Sequence, residues 1–156
     1  MLFTRHFQCS SPKNAETLYK QFLGKHLTIH QLDFEVFDEG DHLKVIPHTE
    51  NSDQIFTLPI TKVIIQPDKQ GASVKMKFSP RHIDIGGPYL LLIFIGFAIL
   101  GGLLLLWFKT NVQTAFILIG FAIAVFALMW YRMERGYFDY IRKIKKWVKS
   151  YATEVQ

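Results

Sequence analysis

The sequence predicts an α+β membrane protein: a small antiparallel sheet plus one helix, then a two-helix transmembrane hairpin, then a C-terminal amphipathic helix. Three observations carry this prediction. Residues 1–88 hold short alternating runs and one helical run. Residues 89–131 hold two long uncharged stretches. Residues 132–156 set an apolar stripe against a basic one.

The N-terminal segment is read in order. Leu2 to Gln8 is a first strand. Ser10-Ser11-Pro12 reads as a helix start, with Ser11 as cap and Pro12 at the first helical position, where its missing N–H costs nothing. Ala15, Leu18, Tyr19, Phe22 and Leu23 follow at helical spacing, and the helix is expected to end near Gly24-Lys25-His26. The period then changes to two. Phe34 and Val36, with Leu32, share one face, and Asp33, Glu35 and Phe37 share the other. Asp38-Glu39-Gly40-Asp41 is a turn before Leu43, Val45 and Pro47. His48 to Asp53 reads as a polar loop, and Ile55 to Leu58 and Ile60 to Gln66 as strand interrupted at Pro59. A turn over Pro67 to Gly71 leads to Ser73–Ser79, where Val74, Met76 and Phe78 alternate with Lys75 and Lys77. Strand, helix and three or four further strands make a domain with a thin core. Arg81 to Pro88 is read as its connector to the first span.

Tyr89 to Phe108 contains eight Leu, three Ile and three Phe and no charge. Twenty helical residues cover the roughly 30 Å hydrocarbon core. Those fourteen side chains contribute on the order of −4 to −8 kcal/mol toward insertion. Thr114 to Tyr131 is a second uncharged run, and the five-residue link 109–113 forces an antiparallel hairpin. Trp107 and Phe108 mark one interface, Trp130 and Tyr131 the other. Neither span carries Asp, Glu, Lys, Arg, His, Asn or Gln, which disfavours transport of ions or polar solutes. Ala98 and Gly102, and Gly120 and Ala124, have small-xxx-small spacing. Counted from Asn111, position 102 lies level with 120 and 98 with 124. These residues are expected to pack the hairpin or to form a docking face for another subunit.

The net charge of +5 is unevenly placed. Residues 1–88 carry ten basic and ten acidic residues; residues 132–156 carry seven and three. The basic seven are Arg132, Arg135, Arg142, Lys143, Lys145, Lys146 and Lys149, while the link between the spans has only Lys109. The positive-inside rule puts both ends of the chain in the cytoplasm. The opening Met-Leu-Phe-Thr-Arg-His lacks an apolar signal core, so no cleavable signal is expected.

Tyr137, Ile141, Ile144, Val148 and Tyr151 form the stripe of the tail, flanked by Phe138 and Trp147. Three readings follow. The helix lies on anionic lipid headgroups, with the basic residues and Trp147 at the membrane surface; or it packs on the N-terminal domain; or it binds a partner. Nucleic acid is not an expected ligand, because no recognisable module accompanies the basic residues.

The residues offer little chemistry. His26 and His30 are four apart, but the helix ends between them, so no metal is expected. His42 and His48 read as surface residues. Asp33, Glu35, Asp38, Glu39, Asp41, Glu50 and Asp53 lack calcium-loop spacing and read as a solvated hairpin end. The glycine pairs 86–87 and 101–102 are not phosphate loops. The single cysteine, Cys9, excludes an intramolecular disulfide framework. No nucleophile–base or paired-carboxylate set stands out, so neither an enzyme nor a cofactor is expected.

Ile55-Phe56-Thr57-Leu58-Pro59-Ile60, then Gly71-Ala72-Ser73-Val74-Lys75-Met76-Lys77-Phe78-Ser79-Pro80, precede the first span. This layout resembles a group of small bacterial membrane proteins with an N-terminal α+β domain, a two-helix hairpin and a short C-terminal helix. The Arg-Asn pair that often precedes the first proline in that group is missing here. The resemblance implies topology and bacterial origin and no activity. Together these readings predict a non-enzymatic inner-membrane accessory or scaffold subunit on a larger membrane complex. The alternatives are a membrane-surface sensor or lipid-binding module and, less favoured, a homo-oligomeric pore.

Overall fold

Six strands form one antiparallel sheet in the computed structural model, which describes residues 3–30, 32–47, 58–69 and 71–153. The strands are β1 (Arg5–Ser11), β2 (His26–Ile29), β3 (Leu32–Asp38), β4 (Leu43–Pro47), β5 (Pro59–Asp68) and β6 (Gly71–Pro80). Their order is β1-β6-β5-β4-β3-β2, so β1 and β2 are the two edges. The helices are α1 (Ala15–Phe22), α2 (His82–Trp107), α3 (Val112–Met133) and α4 (Asp139–Thr153), with a five-residue π-helix, Glu134–Phe138, before α4. The chain divides into two compact units, Met1–Arg81 with Gly136–Gln156 and His82–Arg135.

In the first unit, alternation decides the faces. Phe34 and Val36 on β3, Leu43 and Val45 on β4, Val63 on β5, and Val74, Met76 and Phe78 on β6 are all buried on one face. Both α1 and α4 pack on that face, and α4 touches both edge strands, so the sheet curls around it. Leu18 and Phe22 come from α1, and Tyr137, Ile144 and Val148 from the C-terminal segment; none is more than 1% exposed. The apolar stripe of α4 therefore belongs to this core, and its partner is the sheet rather than a bilayer surface.

Three local expectations are corrected. Ser11 does not cap α1. It ends β1, opposite Ala72, and its hydroxyl donates to the Ala152 carbonyl at 2.6 Å. Asn14 is the cap, accepting from the Glu16 N–H. His26–Ile29 is a short edge strand that the sequence had not separated from its neighbours. Residues 82–88 are helical rather than a connector: Gly86, Gly87 and Pro88 lie inside α2. The proline forfeits one intrahelical hydrogen bond there. The expected loop 48–53 and the strand start at Ile55 lie outside the described residues.

In the second unit α2 and α3 pack as an antiparallel hairpin. The turn is short. Lys109 takes a positive φ, and the Asn111 side chain accepts from the Thr114 N–H at 3.0 Å to cap α3. Gly102, Ala115 and Ala122 are buried between the helices. A Cβ on Gly102 would lie 2.6 Å from Ile119 Cγ1 and 3.2 Å from the Ala115 carbonyl oxygen. Gly102→Leu is therefore expected to push the helix axes apart by about 1–2 Å, since axis separation follows the contact side chains. Paired spin labels on α2 and α3 measure that change.

Candidate functional site

Two surfaces and one polar cluster gather the residues singled out from the sequence. The first surface is the outside of the α2–α3 hairpin. Phe97, Ile117 and Leu128 are each about two-thirds exposed, and Trp107 is 82% exposed. The described helices include two that are long and apolar enough to cross a membrane. The four small residues do not meet as depth alone suggested. Gly102 packs on Ala115 and Ile119, and Ala98 is half-buried. Gly120 and Ala124 are exposed on the outer side, with open space beside Gly120. Equal depth leaves the direction each residue faces undetermined, and the helix rotation turns this pair outward.

The second surface is the basic side of α4, in the first unit, where Arg142, Lys146 and Lys149 are exposed. Arg132 and Arg135 are exposed in the second unit. The Arg135 guanidinium lies 4.8 Å from the Tyr131 ring centre. Lys143, Lys145 and Trp147, like Arg142, make contacts within the first unit. Lys145 sits 3.8 Å over the Phe7 ring. Trp147 packs against Phe22 and Tyr151 at 5.5 and 5.0 Å between ring centres. Lys143 joins the polar cluster described next.

That cluster ties the start of α4 to the β2–β3 turn. His30 Nε2 lies 2.8 Å from Asp139 Oδ2, Lys143 Nζ lies 2.9 Å from the same oxygen and contacts His30, and Arg142 is 3.5 Å from the other carboxylate oxygen. The His30 hydrogen bond, helped by Lys143, holds the Asp139 carboxyl down at about 2. His30 and Asp139 are 109 residues apart, so no local motif announces the pairing. His26 is on β2 and points elsewhere, with Nδ1 at 2.7 Å from Asp33 Oδ2. The two histidines thus fall on a strand and a turn and share no helix face. Among the described residues no group of three or more His, Cys, Asp or Glu is placed to hold a metal.

The Asp33 hydrogen bond raises the His26 pKa above its ordinary 6.5. The sign of the linkage follows. This pair adds stability that is fully present below pH 6.5 and is lost as pH rises through the raised pKa. Proton NMR titration of His26 is expected to give a midpoint above the ordinary value, and Asp33→Asn to bring it back toward it.

At the opposite end of α4, the Ser11 hydroxyl and the Lys13 ammonium take the carbonyls of Ala152 and Tyr151 at 2.6 and 3.1 Å. They satisfy acceptors that a helix C-terminus leaves open. Cys9 is half-buried on the inner side of β1, where burial pushes its thiol pKa up, so it is not poised as a nucleophile.

No protein-family profile matches the chain. No curated protein matches it. Among solved structures, the chain is similar to protein MLL2253 from Mesorhizobium loti, at 15% identity over 78% of this chain and 96% of that one, with a TM-score of 0.38.

Proposed function

We propose that this protein is a non-enzymatic accessory or scaffold subunit of a larger membrane complex. Its α2–α3 hairpin spans a bacterial inner membrane, with both ends of the chain cytoplasmic. The observation that carries the reading is the outer surface of the hairpin. It is almost wholly apolar, and its one pair of small residues at close-packing spacing, Gly120 and Ala124, is exposed rather than used within the hairpin. Such a pair admits a neighbouring helix at close range. The uncharged spans support docking over transport. The exposed Arg132, Arg135, Arg142, Lys146 and Lys149 suit anionic headgroups, each worth about 1 kcal/mol near such a surface.

The lipid-binding alternative needs space between sheet and helix. That space is occupied by Leu18, Phe22, Phe34, Tyr137 and Ile144, all at or below 1% exposure. This packing favours the docking reading over a lipid held inside the domain.

Native mass spectrometry after gentle extraction tests the proposal. The expected result is a particle well above 18.1 kDa containing a second kind of chain. Gly120→Leu with Ala124→Leu is expected to release that chain. A lone protein or a homo-oligomer carrying lipid overturns the reading.

A further inference from the structure

The sheet face turned away from α1 and α4 carries a row of like charges. Lys44 stands opposite Lys62, and Lys62 opposite Lys77. Lys75 lies two positions along from Lys77, on the same face. Neighbouring strands are about 4.8 Å apart, and like charges directly opposite one another destabilise an antiparallel pair. One end of the row is compensated within the chain. Glu39 pairs with Lys44, and Glu39 and Asp41 also feel the charge of Lys62. The other end is not compensated. Lys75 reaches only the neutral Gln66 amide oxygen, at 3.0 Å. Lys75 and Lys77 are exposed, and among the described residues no carboxylate forms an ion pair with Lys62, Lys75 or Lys77. The lysines are flanked on the same face by Ile46, Ile60 and Ile64, each half-buried.

The exposed basic residues of α4 lie on the opposite side of this unit, because α4 packs on the other face of the sheet. A flat bilayer surface can meet one of these two sides, not both. The sheet side also differs in kind. Its half-buried isoleucines stand between the lysines, a mixture of aliphatic and basic groups that an acidic protein surface with aliphatic side chains complements on both counts.

We propose that the outer face of the sheet docks an acidic, partly apolar protein surface, with carboxylates meeting Lys62, Lys75 and Lys77 and aliphatic side chains meeting Ile60 and Ile64. This partner site is independent of what the hairpin docks on. The uncompensated lysine row keeps the face soluble while it is empty and steers a carboxylate-rich partner to it.

The test uses the full chain in nanodiscs of pure phosphatidylcholine. The probe is a fluorescein-labelled amphipathic helical peptide, glutamate on one side and leucine on the other. Binding is followed by anisotropy. Lys62→Gln with Lys77→Gln is expected to weaken binding about tenfold. The same variant is expected to raise the thermal midpoint, because it removes cross-strand repulsion, so lost binding is not lost folding. Lys146→Gln with Lys149→Gln, on the α4 side, is expected to leave binding unchanged. The proposal is overturned if the peptide does not bind, if both variants weaken it equally, or if a single-stranded oligonucleotide binds the wild type more tightly at physiological salt.

Discussion

Gly71→Ala is expected to destabilise the sheet unit by about 3 kcal/mol or more. Gly71 opens β6 with φ +138°, a conformation that side chains rarely adopt. Space is as limiting as torsion. A Cβ there would run into the Ser11 carbonyl oxygen and lie 2.8 and 2.9 Å from Pro12 C and Cα. All three are backbone atoms, of Ser11 at the end of β1 and of Pro12 just after it; β1 is paired along β6 through Ser11 and Ala72. Relief requires β1 to move, and β1 also carries the hydroxyl that closes the end of α4. Hydrogen exchange read by mass spectrometry is expected to show β1 and β6 losing protection together, with the α2–α3 hairpin unchanged. Wild-type protection in β1 would sink this account.

Tyr137→Ala is expected to cost about 3–5 kcal/mol, as for other large aromatic truncations. Tyr137 is fully buried, packs edge-on against Phe138 at 5.3 Å between ring centres, and donates its hydroxyl to the Phe3 carbonyl at 2.8 Å. Burial pushes the phenol pKa well above its ordinary value, so the hydroxyl stays a donor across the accessible pH range. Tyr137→Phe separates the two contributions. It keeps the ring and removes the donor, for about 1–3 kcal/mol. Denaturant unfolding of the purified full chain measures both. Equal losses for the two variants would mean that the ring packing matters little.

Much of the architecture was legible in the residues. Leu18 and Phe22 announced α1, strict alternation announced β6, and uninterrupted Leu, Ile and Phe announced α2 and α3. What was not legible depended on distant partners. Ser11-Pro12 is a sound helix start by local chemistry, but Ser11 is held in β1 by its pairing with Ala72. A four-residue edge strand such as β2, with only Leu27 and Ile29 apolar, has too short a pattern to declare itself. The stripe on α4 was visible, but an apolar stripe looks the same whether it meets a bilayer or a sheet. Depth along α2 and α3 placed Gly102 level with Gly120, whereas facing direction depends on how the helices rotate. The lysine row belongs to no segment. Lys44, Lys62 and Lys77 become neighbours only through strand register.

The sheet unit is split in the chain by the whole apolar hairpin. During synthesis, β1 to β6 leave the ribosome first, with Phe34, Val45, Val63 and Phe78 still uncovered by α4. The segment that completes their burial follows only after the whole of His82–Arg135. Closure depends on contacts as distant as Ser11 to Ala152, which makes this a late and slow step. The nascent sheet is then a sticky intermediate that needs shielding until α4 arrives. A chain cut before Asp139 is therefore expected to leave an aggregation-prone sheet rather than a smaller working domain.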